Sequence, residues 1–179
     1  YLDNDPESAA GHYQRALALD ASDPNIIGNA ADFLAIVRLD QAIALNEYAA
    51  SRDPVNPMSH STLSRNYLAA GRYDEAIASS TSALQLSPGY LFEHFQIGTA
   101  LLMKGDAEAA LAAFEQESAE DARAAGVAMA LHSLGRKKDH QIKLKEAIAL
   151  LGSEWPSEVA AVCAWIGDAD EAFRWLDKA

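Results

Sequence analysis

The sequence predicts an all-α fold of stacked helix-turn-helix units, and three observations predict it. Four glycines, Gly71, Gly105, Gly135 and Gly167, recur at a near-constant spacing, inside the period of about 20–50 residues that marks a stacked repeat array. Each is followed almost at once by an alanine-rich stretch of helical periodicity. Half of the 179 residues are hydrophobic, which suits an array whose units each leave an apolar face for the next unit to cover.

The elements follow in order along one continuous array over 1–179. Residues 1–22 carry Ala9, Tyr13 and Ala16 in the pattern of a second helix with no first helix ahead of it. Residues 23–56 repeat the spacing through Ile26, Phe33, Ala42, Ala49 and Pro54, with Val37 and Arg38 where a turn glycine would stand, so a looser turn is expected. Residues 57–90 are the clearest unit. Leu63 and Tyr67 share one helical face, Gly71 interrupts, and Ala76, Ser80 and Ala83 form a second face before Pro88. Glycine suits that turn because a residue just past a helix end often needs positive φ. Small alanines on the second helix allow its axis to approach the first closely.

Three further units follow, 91–120, 121–152 and 153–179, the later ones shortened. His94, Ile97, Gly98, Leu101, Ala110 and Phe114 mark the first of these. Leu131, Gly135, Ile142, Leu144 and Ala147 mark the second, and Val159, Cys163, Gly167, Ala172, Leu176 and Ala179 the last. His140 stands where the tightest helix crossing wants alanine, so that pair is expected to be splayed or displaced. Glu117 and Gly152 also break the pattern. Pro156 is expected in the first turn of its helix, where a missing amide proton costs nothing. The closing WIGDADEAFRWLDKA ends on an amphipathic helix whose outer face calls for a cover, either further chain or another molecule.

These residues resemble the tetratricopeptide repeat, whose pattern is W-x2-L-G-x2-Y, then A-x3-F, then P. His60, Leu63, Ser64, Tyr67, Ala76, Ser80 and Pro88 fill those positions in one unit, and the next supplies Gly98 and Phe114 where its neighbour has serines. The resemblance implies a right-handed α-solenoid of about five helix pairs, found in bacterial proteins either alone or as a region of a larger signalling protein. It also implies a concave groove lined by the first helices, which would place there Ile27, Leu34, Met58, Ser61, Arg65, Leu68, Phe92, Phe95, Thr99, Leu102, Met103, Met129, His132 and Trp165. That set is mostly apolar. Relatives that clamp a C-terminal carboxylate use lysine and asparagine in these columns, and here only Arg65 could contribute.

Composition excludes several classes. Fourteen basic against 26 acidic residues leave a net charge of -12, which repels a phosphate backbone, so nucleic acid is not an expected partner. A single cysteine, Cys163, permits no internal disulfide and leans towards a reducing compartment. No apolar run is long enough for a membrane span, and no basic-then-apolar leader opens the chain, which begins at Tyr1 rather than methionine.

Signs of chemistry are sparse. His12, His60, His94, His132 and His140 are expected not to cluster, and His60 and His94 lie one repeat length apart, in the same column of successive units and too distant to share a metal. Cys163 reads as a small buried hydrophobe. Phosphate loops, dinucleotide fingerprints, nucleophile elbows and zinc-protease or CxxC motifs are missing. The acidic pairs Asp74/Glu75, Glu120/Asp121 and Asp170/Glu171 fall at helix starts, where they complement the helix dipole. Arg136, Lys137 and Lys138, with Lys143 and Lys145, form a solvated basic turn. The expectation is therefore a protein-interaction module without catalysis, cofactor or metal, binding an extended apolar peptide or an amphipathic helix in the groove. The alternative is a regulatory or oligomerising region of a larger protein acting through its ends, including self-association through Phe173 and Trp175.

Overall fold

Each predicted turn glycine closes its helix in the same way. In the computed structural model, Gly71, Gly105, Gly135 and Gly167 have φ between 71° and 85°, and each lies between two reverse hydrogen bonds. At Gly71 these are Arg72 N to Tyr67 O, 2.8 Å, and Gly71 N to Leu68 O, 3.0 Å. This is the Schellman pattern, in which a left-handed residue just past the helix satisfies carbonyls the helix leaves open. The structure describes residues 38–179, together with His12, Arg15, Ile27, Ala30, Ala31, Leu34 and Ala35. The leading helix expected over 1–22, with Ala9, Tyr13 and Ala16, otherwise lies outside the described residues, as do Ile26, Phe33 and Val37.

Among the described residues there are nine helices with defined bounds and no strand, and the chain divides into two compact units, 1–88 and 89–179. The first unit contains α1 (Leu39–Arg52), α2 (Pro57–Ala69) and α3 (Tyr73–Leu86). Arg38, the boundary residue before α1, has φ -149°, and the position of the turn glycine, Val37, is not among the described residues. Helix α2 starts with Asn56, whose side chain accepts from Met58 N, and with Pro57 in the first turn. It packs along α1 on one side and α3 on the other. Between α2 and α3 lie Leu63, Ala76 and Ala83. The columns that hold glycine and phenylalanine in the next repeat hold Ser64 and Ser80 here. Both are fully buried, and they satisfy one another: Ser80 Oγ donates to Ser64 Oγ at 2.7 Å, and Ser64 Oγ donates to the Ala76 carbonyl at 2.9 Å.

The second unit contains α4 (Glu93–Met103), α5 (Ala107–Phe114), α6 (Glu120–Ser133), α7 (Lys137–Leu151), α8 (Pro156–Trp165) and α9 (Ala169–Leu176). They pair as α4 with α5, α6 with α7 and α8 with α9, and α6 also packs on α4, α5 and α8. Pro156 opens α8 as predicted. Two apolar clusters form the core. One gathers Leu102, Ala110, Leu111, Phe114, Val127, Ala130 and Leu131; the other gathers Ala124, Ala125, Ala147, Leu151, Val159, Val162, Cys163 and Ala172. Phe95 and Met129 pack against both.

Two expectations change here. The α6–α7 pair is not splayed at His140: the helices pack extensively, because the buried imidazole bonds through Nδ1 to the Ala128 carbonyl at 2.9 Å and faces a helix rich in alanine. Ile142, read as a marker of its unit, is 65% exposed, while Ala147 turns inward.

Candidate functional site

Helices α4, α6 and α8 are the first members of their pairs, and together they line a cleft of about 490 Å³ in the second unit. Phe92, Phe95 and Thr99 come from the start of α4. Asp121, Ala122, Ala125 and Met129 come from α6; Glu158, Ala161 and Val162 from α8; Leu151 from the end of α7; and Trp155 from the connection between α7 and α8. Alanines at 122, 125 and 161 leave room that larger side chains would fill. Phe95 stacks at a tilt on the buried Phe114, with ring centroids 5.4 Å apart, which fixes one wall.

The opposite feature is Phe92. It sits at the N-terminal boundary of α4 with φ 70°, the one described non-glycine residue in the left-handed region, a conformation that costs an ordinary side chain about 1–2 kcal/mol. Glu117 holds it there. This carboxylate is 2% exposed and accepts from Phe92 N at 3.2 Å, Phe95 N at 3.1 Å and Ala119 N at 3.0 Å. Helix α4 has no cap from its own boundary residue. Glu117, beyond the end of α5, supplies one: a negative charge on free amides at the positive end of a helix. Arg123 Nη1 donates to the Glu117 carbonyl and secures the loop. The residue that broke the repeat pattern thus shapes the cleft. With its backbone pinned, the Phe92 ring remains 48% exposed, and Trp155, the residue at the same boundary of α8, is 52% exposed.

Of the fourteen groove residues, the structure brings Phe92, Phe95, Thr99 and Met129 together in this cleft. Elsewhere in the second unit, Leu102 is buried in a core cluster, Met103 is 49% exposed, His132 is exposed and Trp165 donates from Nε1 to Ser133 Oγ at 3.1 Å. In the first unit, Ile27 is buried, Leu34, Ser61 and Leu68 are half-buried, Arg65 is exposed, and Met58 is 63% exposed. Sequence reasoning missed Trp155, Leu151, Ala161, Val162, Ala122, Ala125, Asp121 and Glu158. One signal was present for Trp155, which stands immediately before its helix as Phe92 stands before α4.

His132 and His140 do meet, contrary to the expectation that the histidines stay apart, with centroids 5.1 Å apart and edge to face. Partial desolvation on the side facing the protein, and then the neighbouring His140, hold the otherwise exposed His132 imidazole below its usual range. Among the described residues no group of three or more His, Cys, Asp or Glu side chains is arranged to hold a metal ion. Burial, followed by Glu171 and Asp168, pushes the Cys163 thiol up, away from the reactive thiolate. No helix is long and apolar enough to cross a membrane, among the described residues.

No protein-family model and no curated protein matches the sequence. Solved structures do match. TTC0263, a thermophilic TPR protein of Thermus thermophilus, aligns with TM-score 0.71 over 96% of this chain and 89% of its own, at 18% identity. A tetratricopeptide repeat protein of Parabacteroides merdae ATCC 43184 gives 0.70 over 97% and 72%, at 15% identity. YrrB, a TPR protein with an unusual peptide-binding site, gives 0.60 over 94% and 91%, at 18% identity. The chain has the tetratricopeptide-repeat fold. In tetratricopeptide terms, Gly98, Ala110 and Phe114 occupy the pattern's glycine, alanine and phenylalanine positions. Ser64 and Ser80 are the first unit's polar replacement for the glycine and phenylalanine. The tetratricopeptide first helices α4, α6 and α8 supply eleven of the cleft's twelve lining residues, if Phe92 and Trp155 are counted with the helices they precede.

Proposed function

We propose that this chain of tetratricopeptide fold is a non-catalytic interaction module that receives an apolar or amphipathic peptide segment in the cleft between α4, α6 and α8. One observation carries the reading: a buried carboxylate holds Phe92 in a left-handed conformation, so that a large apolar ring stays half-exposed at the mouth of an apolar cleft. Strain concentrated at a surface of this kind is a mark of function rather than of folding. Half-exposed aromatic rings beside a partly buried methionine in a concave site suit an anchor residue from a partner. The peptide-binding site named for YrrB supports the reading by analogy of fold.

The test uses Trp155 as reporter. A tryptophan-free amphipathic peptide with leucines on one face should blue-shift the emission of the native chain, and Trp155→Phe should remove most of that shift. Phe92→Gly separates binding from folding, because glycine accepts a left-handed backbone without strain. Stability should hold to within about 1 kcal/mol, while peptide affinity falls about five- to tenfold. Unchanged affinity in Phe92→Gly would count against the cleft.

A second reading, association through the last helix, is favoured by Phe173 and Leu176, which are 67% and 51% exposed. Trp175 is less available, since its ring packs at Gly152 and beneath Lys178. Light scattering over a concentration series tests it, and a strictly monomeric chain would dismiss it.

A further inference from the structure

The cleft is apolar apart from Thr99, whose hydroxyl is used in donating to the Phe95 carbonyl at 2.9 Å, and two carboxylates, and no basic side chain is among its lining residues. Asp121 lies in the first turn of α6 and accepts from Ala122 N at 2.8 Å; Glu158 lies in the first turn of α8 and accepts from Ser157 Oγ at 2.7 Å. Complementing the helix dipole does not require a carboxylate to line the cleft, since Glu120 sits in the same first turn as Asp121 and is not among the lining residues. The half-exposed rings of Phe92 and Trp155 add π-faces, which attract cations. An anionic ligand, such as a fatty acid or a peptide C-terminus, would meet two like charges at a site of low polarity, and the chain's net charge of -12 adds to that field.

We propose that the cleft selects a basic amphipathic segment of another protein: an apolar side chain enters against Phe95, Met129 and Val162, and a lysine or arginine flanking it meets Asp121 and Glu158. This rests on the reading of the cleft as a peptide site. Apolar contact supplies the anchor and the carboxylates supply the choice between partners, because charges at a rim govern specificity more than raw affinity.

The experiment compares two fluorescein-labelled synthetic peptides on the whole chain by anisotropy. One has leucines on one face and lysines on the other, and its counterpart has glutamate at every lysine. The lysine peptide should bind about tenfold more tightly at low ionic strength, and the gap should narrow as salt approaches about 0.5 M. The double variant Asp121→Asn with Glu158→Gln keeps a side-chain oxygen at each position and should bring the peptides to within about twofold. The control Glu108→Gln with Glu115→Gln removes as much charge from exposed positions outside the cleft and should preserve the preference. Equal binding of the two peptides overturns the proposal, as does a lysine preference that survives Asp121→Asn with Glu158→Gln. In either case, weakening of both peptides by Phe92→Gly would leave the peptide-site reading standing; if neither peptide binds, both fall.

Discussion

A Cβ built on Gly126 would lie 2.1 Å from Cδ1 of Phe114. The phenylalanine is fully buried, and a Cβ on Gly98, on the neighbouring first helix, would come within 2.6 Å of the same ring. Phe114 is thus held between two glycines of α4 and α6, and its ring supports Phe95 in the cleft wall. Alanine is the better helix former by about 1 kcal/mol, so an unobstructed Gly126→Ala would stabilise the chain. With the ring in place, Gly126→Ala should instead destabilise it by about 1–3 kcal/mol, measured by urea denaturation. Adding Phe114→Leu should make the combined loss smaller than the sum of the two.

Glu117 is the next test of how the cleft is held. Replacing it by alanine leaves three amides without their carboxylate. Hydrogen bonds to a charged group contribute a net of about 1.5–3 kcal/mol each, and water reaching the amides of the truncated site recovers part of their sum. A loss of about 2–4 kcal/mol in chemical denaturation is therefore expected, with a smaller loss for Glu117→Gln, which keeps one acceptor oxygen. In Glu117→Gln, peptide binding should weaken along with stability, because Phe92 loses part of its anchor. Unimpaired stability in Glu117→Ala would mean the loop is held by Arg123 alone.

In the first unit, Tyr67 donates to Glu47 at 2.7 Å and carries the Arg72 guanidinium over its ring at 4.4 Å. Burial and then the bond to Glu47 raise its phenol to about 12. Since the folded value lies above the unfolded one, the protonated phenol favours the folded state. Its contribution is complete below the unfolded value of about 10 and is lost as pH rises towards 12. Ultraviolet absorbance of the phenolate should show one tyrosine titrating late. Tyr67→Phe should remove that step and flatten the fall in stability across the same interval.

Cys163 offers a probe of the second unit's core. Buried at 1% exposure, with its thiol pushed up by desolvation, it should react with DTNB about a hundredfold or more slower in the native chain than in urea. The rate should track stability across the variants above. Rapid labelling in the native state would place this core among regions that open easily.

How much of this was legible in the sequence depends on the range of the interaction. The turns were readable because a Schellman ending is decided by a few consecutive residues, and glycine's tolerance of positive φ is intrinsic to it. Pro156 and the acidic first turns were readable for the same reason. Four of the fourteen groove residues line the cleft, whereas Leu102, assigned to the groove from its column, is directed into the core. A column gives an angular position on a helix, and neighbouring helices decide how deep that position lies. His140 shows the converse: by residue size the site was too tight, but a carbonyl on the facing helix gave the imidazole a partner.

The sequence by itself determined the helix pairs, the turns and the tetratricopeptide fold, since local propensity and a near-regular repeat rhythm act within single repeats. Only the tertiary structure decided that Glu117 caps α4 from beyond the end of α5, that Phe92 is pinned left-handed, and that Trp155, Asp121 and Glu158 share a cleft with it. The first two join the ends of one repeat, and the cleft joins residues of successive repeats. They depend on where packed helices bring side chains that lie far apart along the chain, and no local pattern encodes that.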